Sequence, residues 1–385
     1  MWSMKTACVF LAGLAVVAAW AGAACADEAA KAGPIETAKR PLVQVAILLD
    51  TSNSMDGLIS QAKSQLWRIV NEIAGWKKGG VQPDIQVALF EYGKSSLPAA
   101  EGFLRMVVPL TADLDKVSEG LFGLGTNGGD EFCGQVIDAT VGRLTWSADP
   151  ADLRMVFIAG NEPFTQGPVD FRAAVGRAAA KGIVVNTIHC GSYDEGERTG
   201  WGEGARLAGG QYAHIDQNAR VAHVAAPQDA EIARLGAELS GTYVAFGKAG
   251  KEKKARQEAQ DRNAEAAAPA AALSRTAFKA SGAYGAGDWD LVDAVATGRA
   301  TAGAVAEEDL PAEMKGMDAA KRDEYVRDQQ RKRADIQARI RKLNAEREAF
   351  VTAKQAEAAA GGERTLDAAM IGAVRTQAAT KQFSR

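Results

Sequence analysis

The sequence has few residues that bind metals through nitrogen or sulfur. Its 385 residues include three His and four Cys, too few for a protein with several zinc sites. An excess of one charge is also missing, because 45 Lys and Arg side chains stand against 48 Asp and Glu side chains, giving a formal net charge of −3. This balance argues against a broad positive surface for nucleic acid or anionic lipid.

The common sequence motifs of catalysis are missing as well. GxSxG, HExxH and a glycine-rich phosphate loop do not occur. The adjacent His189 and Cys190 lie in or beside a predicted strand, where neighbouring side chains point to opposite faces and cannot readily form a base and a nucleophile. The sequence therefore predicts no catalytic residue and a protein that is not an enzyme, with a hydrolase as the least favoured alternative.

Only the N-terminus has a long apolar run. Residues 1–26 contain one cation, Lys5, and then an apolar stretch ending in Ala24-Cys25-Ala26, which is typical of a secretory signal peptide cleaved near Ala26. A retained membrane anchor and, less favoured, a lipid-modified Cys25 are the alternatives. We therefore expect a periplasmic or secreted protein whose mature chain has no transmembrane segment.

Strand and helix patterns alternate over residues 41–247, beginning with the apolar strand 42–49 and the amphipathic helix 57–75. This alternation predicts an α/β fold, a doubly wound and mostly parallel sheet flanked by helices. Ligands of such sheets bind at the carboxyl ends of the strands, where the topology switches. Further strands are predicted at 84–92, 103–110, 154–159, 183–189 and 211–215, and further helices near 113–122, 131–144, 169–181, 202–208 and 228–239.

The rest of the chain is divided by composition. Residues 27–40 are predicted to be a lead-in linker, 248–282 a charged helix with an Ala/Pro connector, and 283–385 a helical C-terminal region. Residues 306–352 are predicted to form one long polar helix packed against its own domain, with a dimerising coiled coil as the alternative, because sustained heptads are missing. Its thin apolar seam consists of Ile336, Ile340, Leu343 and Phe350, and is interrupted by Gln329, Arg333 and Arg347.

A DxSxS pattern follows the first predicted strand. Asp50, Ser52 and Ser54 alternate along the chain, so an extended loop can turn one carboxylate and two hydroxyls toward the same point. Such oxygen donors suit Mg²⁺, Mn²⁺ or Ca²⁺. The alternative is that Asp50 or Ser54 caps the helix that begins nearby. The pattern alone favours the cap, whereas its place after the first strand of an α/β alternation favours a site.

A second polar loop, at 123–131, lies in the middle of the same region. With this loop, the DxSxS pattern resembles that of a von Willebrand factor A (VWA) domain over about 42–220. The resemblance implies a metal-ion-dependent adhesion site, abbreviated MIDAS, that contains Asp50, Ser52 and Ser54. It also implies that Thr126 is the threonine supplied by the second loop.

The third loop departs from the family pattern. VWA domains usually have an Asp in a TDG-like sequence after the fourth strand, whereas this chain has Ile-Ala-Gly-Asn-Glu at 158–162. Glu162, or less directly Asn161, is a candidate for the missing oxygen donor, and Asp130 of the second loop is another.

The resemblance implies binding and not turnover. A bound divalent cation, Mg²⁺ first and Mn²⁺ or Ca²⁺ as alternatives, is expected to accept an acidic side chain of a protein partner. The second hypothesis is a structural envelope protein with a degenerate metal site that acts through its C-terminal helices. Neither hypothesis requires nucleic acid.

Cys133 and Cys190 are the two cysteines that follow the predicted signal peptide. In an oxidising compartment a pair of cysteines favours one disulfide, and both residues are predicted to flank the same end of the sheet. Two free thiols are the alternative, and spacing alone does not decide. We expect a bridge between them that fixes the second loop.

Overall fold

The computed structural model describes residues 40–219, 223–358 and 365–385. The part that begins at Arg40 forms one compact unit. The signal peptide predicted over 1–26 lies outside the described residues, as does all but the last residue of the predicted linker 27–40. No helix in the described part is both long enough and apolar enough to cross a membrane.

Six strands form one sheet in the order β3-β2-β1-β4-β5-β6. They are β1 Leu42–Asp50, β2 Asp84–Tyr92, β3 Leu104–Thr111, β4 Leu153–Gly160, β5 Val184–Cys190 and β6 Tyr212–Ile215. Neighbouring strands are parallel except β2 and β3, which are antiparallel. The chain leaves β1 toward β2 on one side and later returns to β4 on the other, so the topology switches between β1 and β4. The prediction of a doubly wound, mostly parallel sheet is confirmed.

Helices cover both faces of the sheet and continue beyond it. Their bounds are α1 Asp56–Ala74, α2 Leu114–Phe122, α3 Cys133–Arg143, α4 Phe171–Ala180, α5 Tyr193–Arg198, α6 Trp201–Leu207, α7 Asp229–Ser240, α8 Gly250–Ala267, α9 Pro269–Lys279, α10 Leu291–Ala296, α11 Ala319–Ala358 and α12 Leu366–Thr380. The short helix α5 was not predicted. Helix α3 begins two residues later than predicted, which leaves Glu131 in the loop before it.

Alternate side chains of β1 point to opposite faces of the sheet. Val45 and Leu49 pack with α1, α9 and α12 on one face, whereas Ala46 and Leu48 pack with α3, α4 and α6 on the other. Both faces are covered, which explains why β1 is a nearly continuous apolar run.

The two cysteines lie on different faces. Cys133 belongs to the apolar cluster that contains α3 and α4, and Cys190 to the cluster that contains α1. Both are buried and free. The predicted disulfide is therefore wrong, because the sheet lies between the two clusters. Burial also raises the pKa of each thiol well above its ordinary value.

The C-terminal helix α12 returns to the α/β part of the chain. Leu366, Met370 and Val374 are buried in the same cluster as α1. Arg375 of α12 forms an ion pair with the nearly buried Glu72 of α1, with Nε 2.8 Å from Oε1. Helix α12 is therefore part of the core that covers one face of the sheet.

Helix α9 replaces the connector that the sequence predicts within 248–282. Phe278 is buried and stacks on Trp67 of α1, with ring centroids 5.4 Å apart. Arg275 is also buried and pairs with Asp115 of α2 and Asp261 of α8. Alanine-rich helices thus extend the core by close packing and buried ion pairs.

The long polar helix α11 packs against its own chain, as expected, in contact with α7, α9 and α10. It begins at Ala319, and 3₁₀ turns occupy part of the preceding segment. Ile336 and Ile340 are buried with residues of α7. Arg333, which interrupts the apolar seam, is buried as well, and its Nη1 lies 2.6 Å from Oδ2 of the fully buried Asp290.

Candidate functional site

The DxSxS loop lies at the switch point of the sheet. Asp50 is the last residue of β1, the strand between β2 and β4. Asn161 and Glu162 follow the end of β4, and the N–H of Thr51 donates to the carbonyl of Tyr92 at the end of β2 (2.8 Å). The carboxyl ends of three neighbouring strands therefore meet around Asp50.

Asp50 is fully buried. Its Oδ1 accepts a hydrogen bond from the N–H of Ser52 at 2.8 Å, whereas Oδ2 has no hydrogen bond of normal geometry in the described part of the chain. Burial raises the pKa of Asp50 to about 7, although the N–H groups of Ser52 and Asn161 favour the charged form. A buried carboxylate oxygen without a partner is costly. Asp50 is thus suited to bind a cation.

The two serines of the loop face the same region. The Oγ atoms of Ser52 and Ser54 lie 3.3 Å apart, and the hydroxyl of Ser54 donates to Oδ1 of Asn161 at 3.4 Å. Neither the 3₁₀ turn that starts after Ser52 nor helix α1 has a side-chain cap hydrogen bond. The alternative in which Asp50 or Ser54 caps a helix is therefore wrong.

Thr126 lies on a loop that is tied to the DxSxS loop. Its hydroxyl donates to Oδ1 of Asp56, the first residue of α1, and the N–H of Asn127 donates to the carbonyl of Thr51 at 2.9 Å. No described contact joins Thr126 directly to Asp50. The structure therefore places Thr126 beside the site, with its hydroxyl engaged by Asp56.

The acidic residue of the second loop that reaches Asp50 is Glu131 and not Asp130. Asp130 is exposed, whereas Glu131 is buried. Burial and the charges of Asp50 and Glu162 raise the pKa of Glu131 to about 7. The sequence held a signal for this difference, because Glu131 precedes the apolar residues Phe132 and Cys133, whereas Asp130 follows two glycines.

Glu162 provides the third carboxyl group near the site. It is half-buried, and its charge raises the pKa of both Asp50 and Glu131. Its backbone carbonyl accepts a hydrogen bond from Nε1 of the buried Trp201 at 2.9 Å. Trp201 therefore holds the segment after β4 in place, so that Glu162 lies where its charge acts on the site.

Two glycines allow the loops to approach Asp50. A Cβ atom on Gly93, which has a φ of +79°, would lie 2.7 Å from Oδ1 of Asp50 and 2.7 Å from Cγ of Glu131. A Cβ atom on Gly160 would lie 2.5 Å from the Tyr92 hydroxyl and 3.0 Å from Oδ2 of Asp50. Any larger residue at either position would displace the groups that form the site. Sequence reasoning missed both glycines.

The donors match a small, hard divalent cation. They are carboxylate and hydroxyl oxygens, which Mg²⁺, Mn²⁺ and Ca²⁺ prefer over nitrogen or sulfur. Within the described ranges, no Lys or Arg forms an ion pair with Asp50, Glu131 or Glu162, and no three His, Cys, Asp or Glu side chains form a metal cluster. The hydroxyls of the DxSxS loop would therefore complete a shell that the carboxylates alone do not form.

Comparison with known proteins finds no matching family model and no matching curated protein. Among solved structures, the chain is similar to the SpRpn10 VWA domain, with 14% identity and a TM-score of 0.35 over 47% of this chain and 100% of that chain. It is also similar to an aerotolerance-related membrane protein from Bacteroides fragilis (18% identity, TM-score 0.32, 46% of this chain and 93% of that chain). A third similar structure is proximal thread matrix protein 1 from the mussel byssus, with a zinc-occupied MIDAS motif (12% identity, TM-score 0.33, 46% and 42% of the chains).

The α/β part of the chain has a VWA-like fold. Its own features agree with the resemblance drawn from the sequence: the sheet is doubly wound, and the DxSxS loop follows the central strand β1 at the switch point. The VWA-like part also includes the loops that bring Thr126, Glu131 and Glu162 around that point.

The His189-Cys190 pair of the VWA-like part has no nucleophile–base geometry. His189 packs beside Trp201, with ring centroids 5.6 Å apart, whereas Cys190 belongs to the apolar cluster on the other face of the sheet. Burial lowers the pKa of His189 and raises that of Cys190. This pair is therefore unsuited to activate a thiolate.

Proposed function

We propose that the VWA-like part binds a divalent cation at the DxSxS loop and thereby recognises an acidic side chain of a protein partner. The observation that supports this proposal is Asp50, a fully buried carboxylate at the switch point with one oxygen that lacks a normal hydrogen bond. Without a cation, Oδ2 of Asp50 loses solvation and gains no compensating hydrogen bond.

Asp50, Ser52 and Ser54 would hold the ion, with Thr126 and Glu162 as the donors from the second and third loops. Mg²⁺ is the expected ion, and Mn²⁺ and Ca²⁺ suit the same donors. When bound, the cation supplies positive charge and an open coordination position that a carboxylate can fill.

The surrounding charge makes recognition depend on the ion. Glu131 and Glu162 lie close to Asp50. The charge of Glu162 raises the pKa of Asp50, and the charge of Asp50 raises the pKa of Glu131. An approaching acidic side chain is repelled by these carboxylates when they are ionised. Binding of a partner carboxylate is therefore expected only in the presence of the divalent cation, which gives the site its selectivity.

The proposed setting is the periplasm or the outside of the cell, supported by the secretory pattern at 1–26. The competing hypothesis of a structural envelope protein requires C-terminal helices with free apolar faces. Helices α9, α11 and α12 instead bury apolar side chains against their own chain. This packing favours a binding module that includes the C-terminal helices as part of its body.

Metal binding is tested by the melting temperature of the mature protein in Mg²⁺, Mn²⁺ or Ca²⁺ and in chelator. A ligand that binds only the native state raises the melting temperature by mass action. We expect a rise for the wild type and none for Asp50→Asn, which keeps the side-chain shape. Asp130→Asn is the matched control, because this exposed carboxylate of the second loop should leave the response unchanged. An equal response in Asp50→Asn would refute the site.

Partner recognition is tested separately by capture from an envelope extract on immobilised mature protein. Capture should require the divalent cation, and both chelator and Asp50→Asn should abolish it while the protein stays folded. Identified partners should then lose binding when a single Asp or Glu in the contacting segment is changed to its amide. Capture that persists in chelator would contradict the proposed recognition mode even if the metal binds.

A further inference from the structure

A cavity of about 630 Å³ lies at the amino ends of β4 and β5, at the opposite edge of the sheet from the DxSxS loop. This volume is in the range of small-molecule sites. Its lining contains two cations and no carboxylate. Lining residues that bear on its chemistry are Leu144, Trp146, Pro150, Arg154, Ala180 and Lys181.

Arg154 is a buried cation without an ion pair. Its relative exposure is 7%, and no described Asp or Glu lies within ion-pair distance of it. Nη1 donates to the carbonyl of Ser147 at 2.6 Å, whereas Nε has no hydrogen-bond partner in the described part of the chain. Buried guanidinium groups are normally paired, so Arg154 carries a positive charge that no described carboxylate balances.

The backbone beside Arg154 leaves the guanidinium accessible from the cavity. Gly182, which has a φ of +65°, belongs to the lining, and a Cβ atom there would lie 2.9 Å from Nη2 of Arg154. A side chain at this position would therefore cover the guanidinium. Glycine leaves this space beside Nη2 free, and both residues line the cavity.

Lys181 adds a second positive charge. Its Nζ donates to the carbonyl of Val141 at 3.0 Å, and an ammonium group has two further N–H donors. The nearby Asp152 is 3% exposed, accepts from the N–H of Leu42 and the hydroxyl of Ser147, and is not part of the lining. The charges that face the cavity are therefore positive.

Part of the remaining wall is apolar, although Thr145 and Ser147 also line the cavity. Trp146 is half-buried, and its Nε1 donates to the carbonyl of Thr140 at 3.1 Å, which fixes the ring. Leu144, Pro150 and Ala180 extend this surface. We propose that the cavity binds a small organic anion whose carboxylate or phosphate pairs with Arg154 and Lys181 and whose apolar part packs on Trp146. This site is independent of the cation site.

Calorimetric titration of the mature protein with phenylacetate, phenyl phosphate and phenylacetamide tests the proposal. At least one of the two anions should bind, and the neutral amide, which has nearly the shape of phenylacetate, should bind at least tenfold more weakly because it cannot form a charge-assisted pair. Whichever anion binds more tightly identifies the carboxylate or the phosphate as the preferred group. Binding of the amide within tenfold of the tighter anion, or binding of none of the three compounds, would overturn the proposal.

Variants locate the binding. Arg154→Gln is expected to weaken anion binding by about tenfold to a hundredfold, the usual range for one lost hydrogen bond to a charged group. Lys181→Gln removes an exposed charge and Ala180→Phe fills the apolar side, so both test the site even if Arg154→Gln does not fold. Arg177→Gln, an exposed residue of α4 that pairs with Asp138, is the matched control. Unchanged affinity in Lys181→Gln and Ala180→Phe would overturn the assignment.

Discussion

Removal of helix α12 is expected to unfold the α/β part of the chain. The perturbation is a chain that ends after residue 358. It removes Leu366, Met370, Val374 and Phe383, which are between 0% and 6% exposed and belong to the same core cluster as α1. It also removes Arg375, an ion-pair partner of Glu72.

The magnitude follows from burial. Full burial of a Leu, Met, Val or Phe side chain contributes about 1.5–3 kcal/mol, so four such side chains contribute about 6–12 kcal/mol. Typical domains are stable by about 5–15 kcal/mol. Truncation after residue 358 therefore removes an amount comparable with the whole stability, and it leaves the 5%-exposed Glu72 without its two arginine partners, Arg375 and Arg385.

Urea titration followed by circular dichroism tests this reasoning. The truncated chain should be largely unfolded without denaturant. Val374→Ala in the full chain should lower the free energy of unfolding by about 2 kcal/mol, whereas Val81→Ala, at a residue that is 43% exposed, should change it by less than about 0.5 kcal/mol. A truncated chain with the urea midpoint of the full protein would show that α12 is dispensable, and the burial argument would be refuted.

Three further predictions concern the two cysteines, Glu72 and Gly160. Cys133 and Cys190 should remain free thiols in the oxidised protein and react with iodoacetamide only after unfolding, because both are buried with a raised pKa; a mass two units below that of the reduced chain would contradict this. Burial alone would raise the pKa of Glu72, but hydrogen bonds and charges from arginines outweigh burial and lower this pKa below its ordinary 4.5. The ionised Glu72 therefore stabilises the folded state above pH 4.5, and this contribution is lost as the pH falls through the folded-state pKa. Urea midpoints across this range should therefore fall less steeply for Glu72→Gln. Gly160→Ala should lower the melting temperature and abolish the rise with Mg²⁺, because its Cβ would lie 3.0 Å from Oδ2 of Asp50; an unchanged metal response would contradict the close packing.

The core strands and helices could be predicted from the sequence because the pattern of each lies within its own segment. The apolar run of β1 and the three-to-four spacing of α1 follow from the faces that these elements bury. The DxSxS spacing likewise predicted that Asp50 and both serines lie close together, since three alternate residues of one loop come together without help from the rest of the fold.

Only the tertiary structure decided which other side chains lie near Asp50 and the two serines. Asp130 and Glu131 are adjacent acidic residues. Only the start of α3 at Cys133 turns Glu131 inward beside Asp50. The cysteines were predicted at one end of the sheet, but the face on which each lies depends on packing, and the faces differ. A periodic pattern shows that one face of an element is buried, but it does not show which distant segment covers that face.

The packing of the C-terminal region could not be predicted from the sequence for the same reason. Helix α12 is rich in alanine, and its small side chains give a weak apolar pattern even though they are closely packed. Arg333 interrupts the apolar seam of α11 and Arg275 lies in α9, yet both are buried because acidic residues from other parts of the chain pair with them. The sequence by itself determined the strands, most of the helices and the DxSxS loop. Only the tertiary structure decided which charged residues are buried, because burial of a charge requires a partner that another part of the chain supplies.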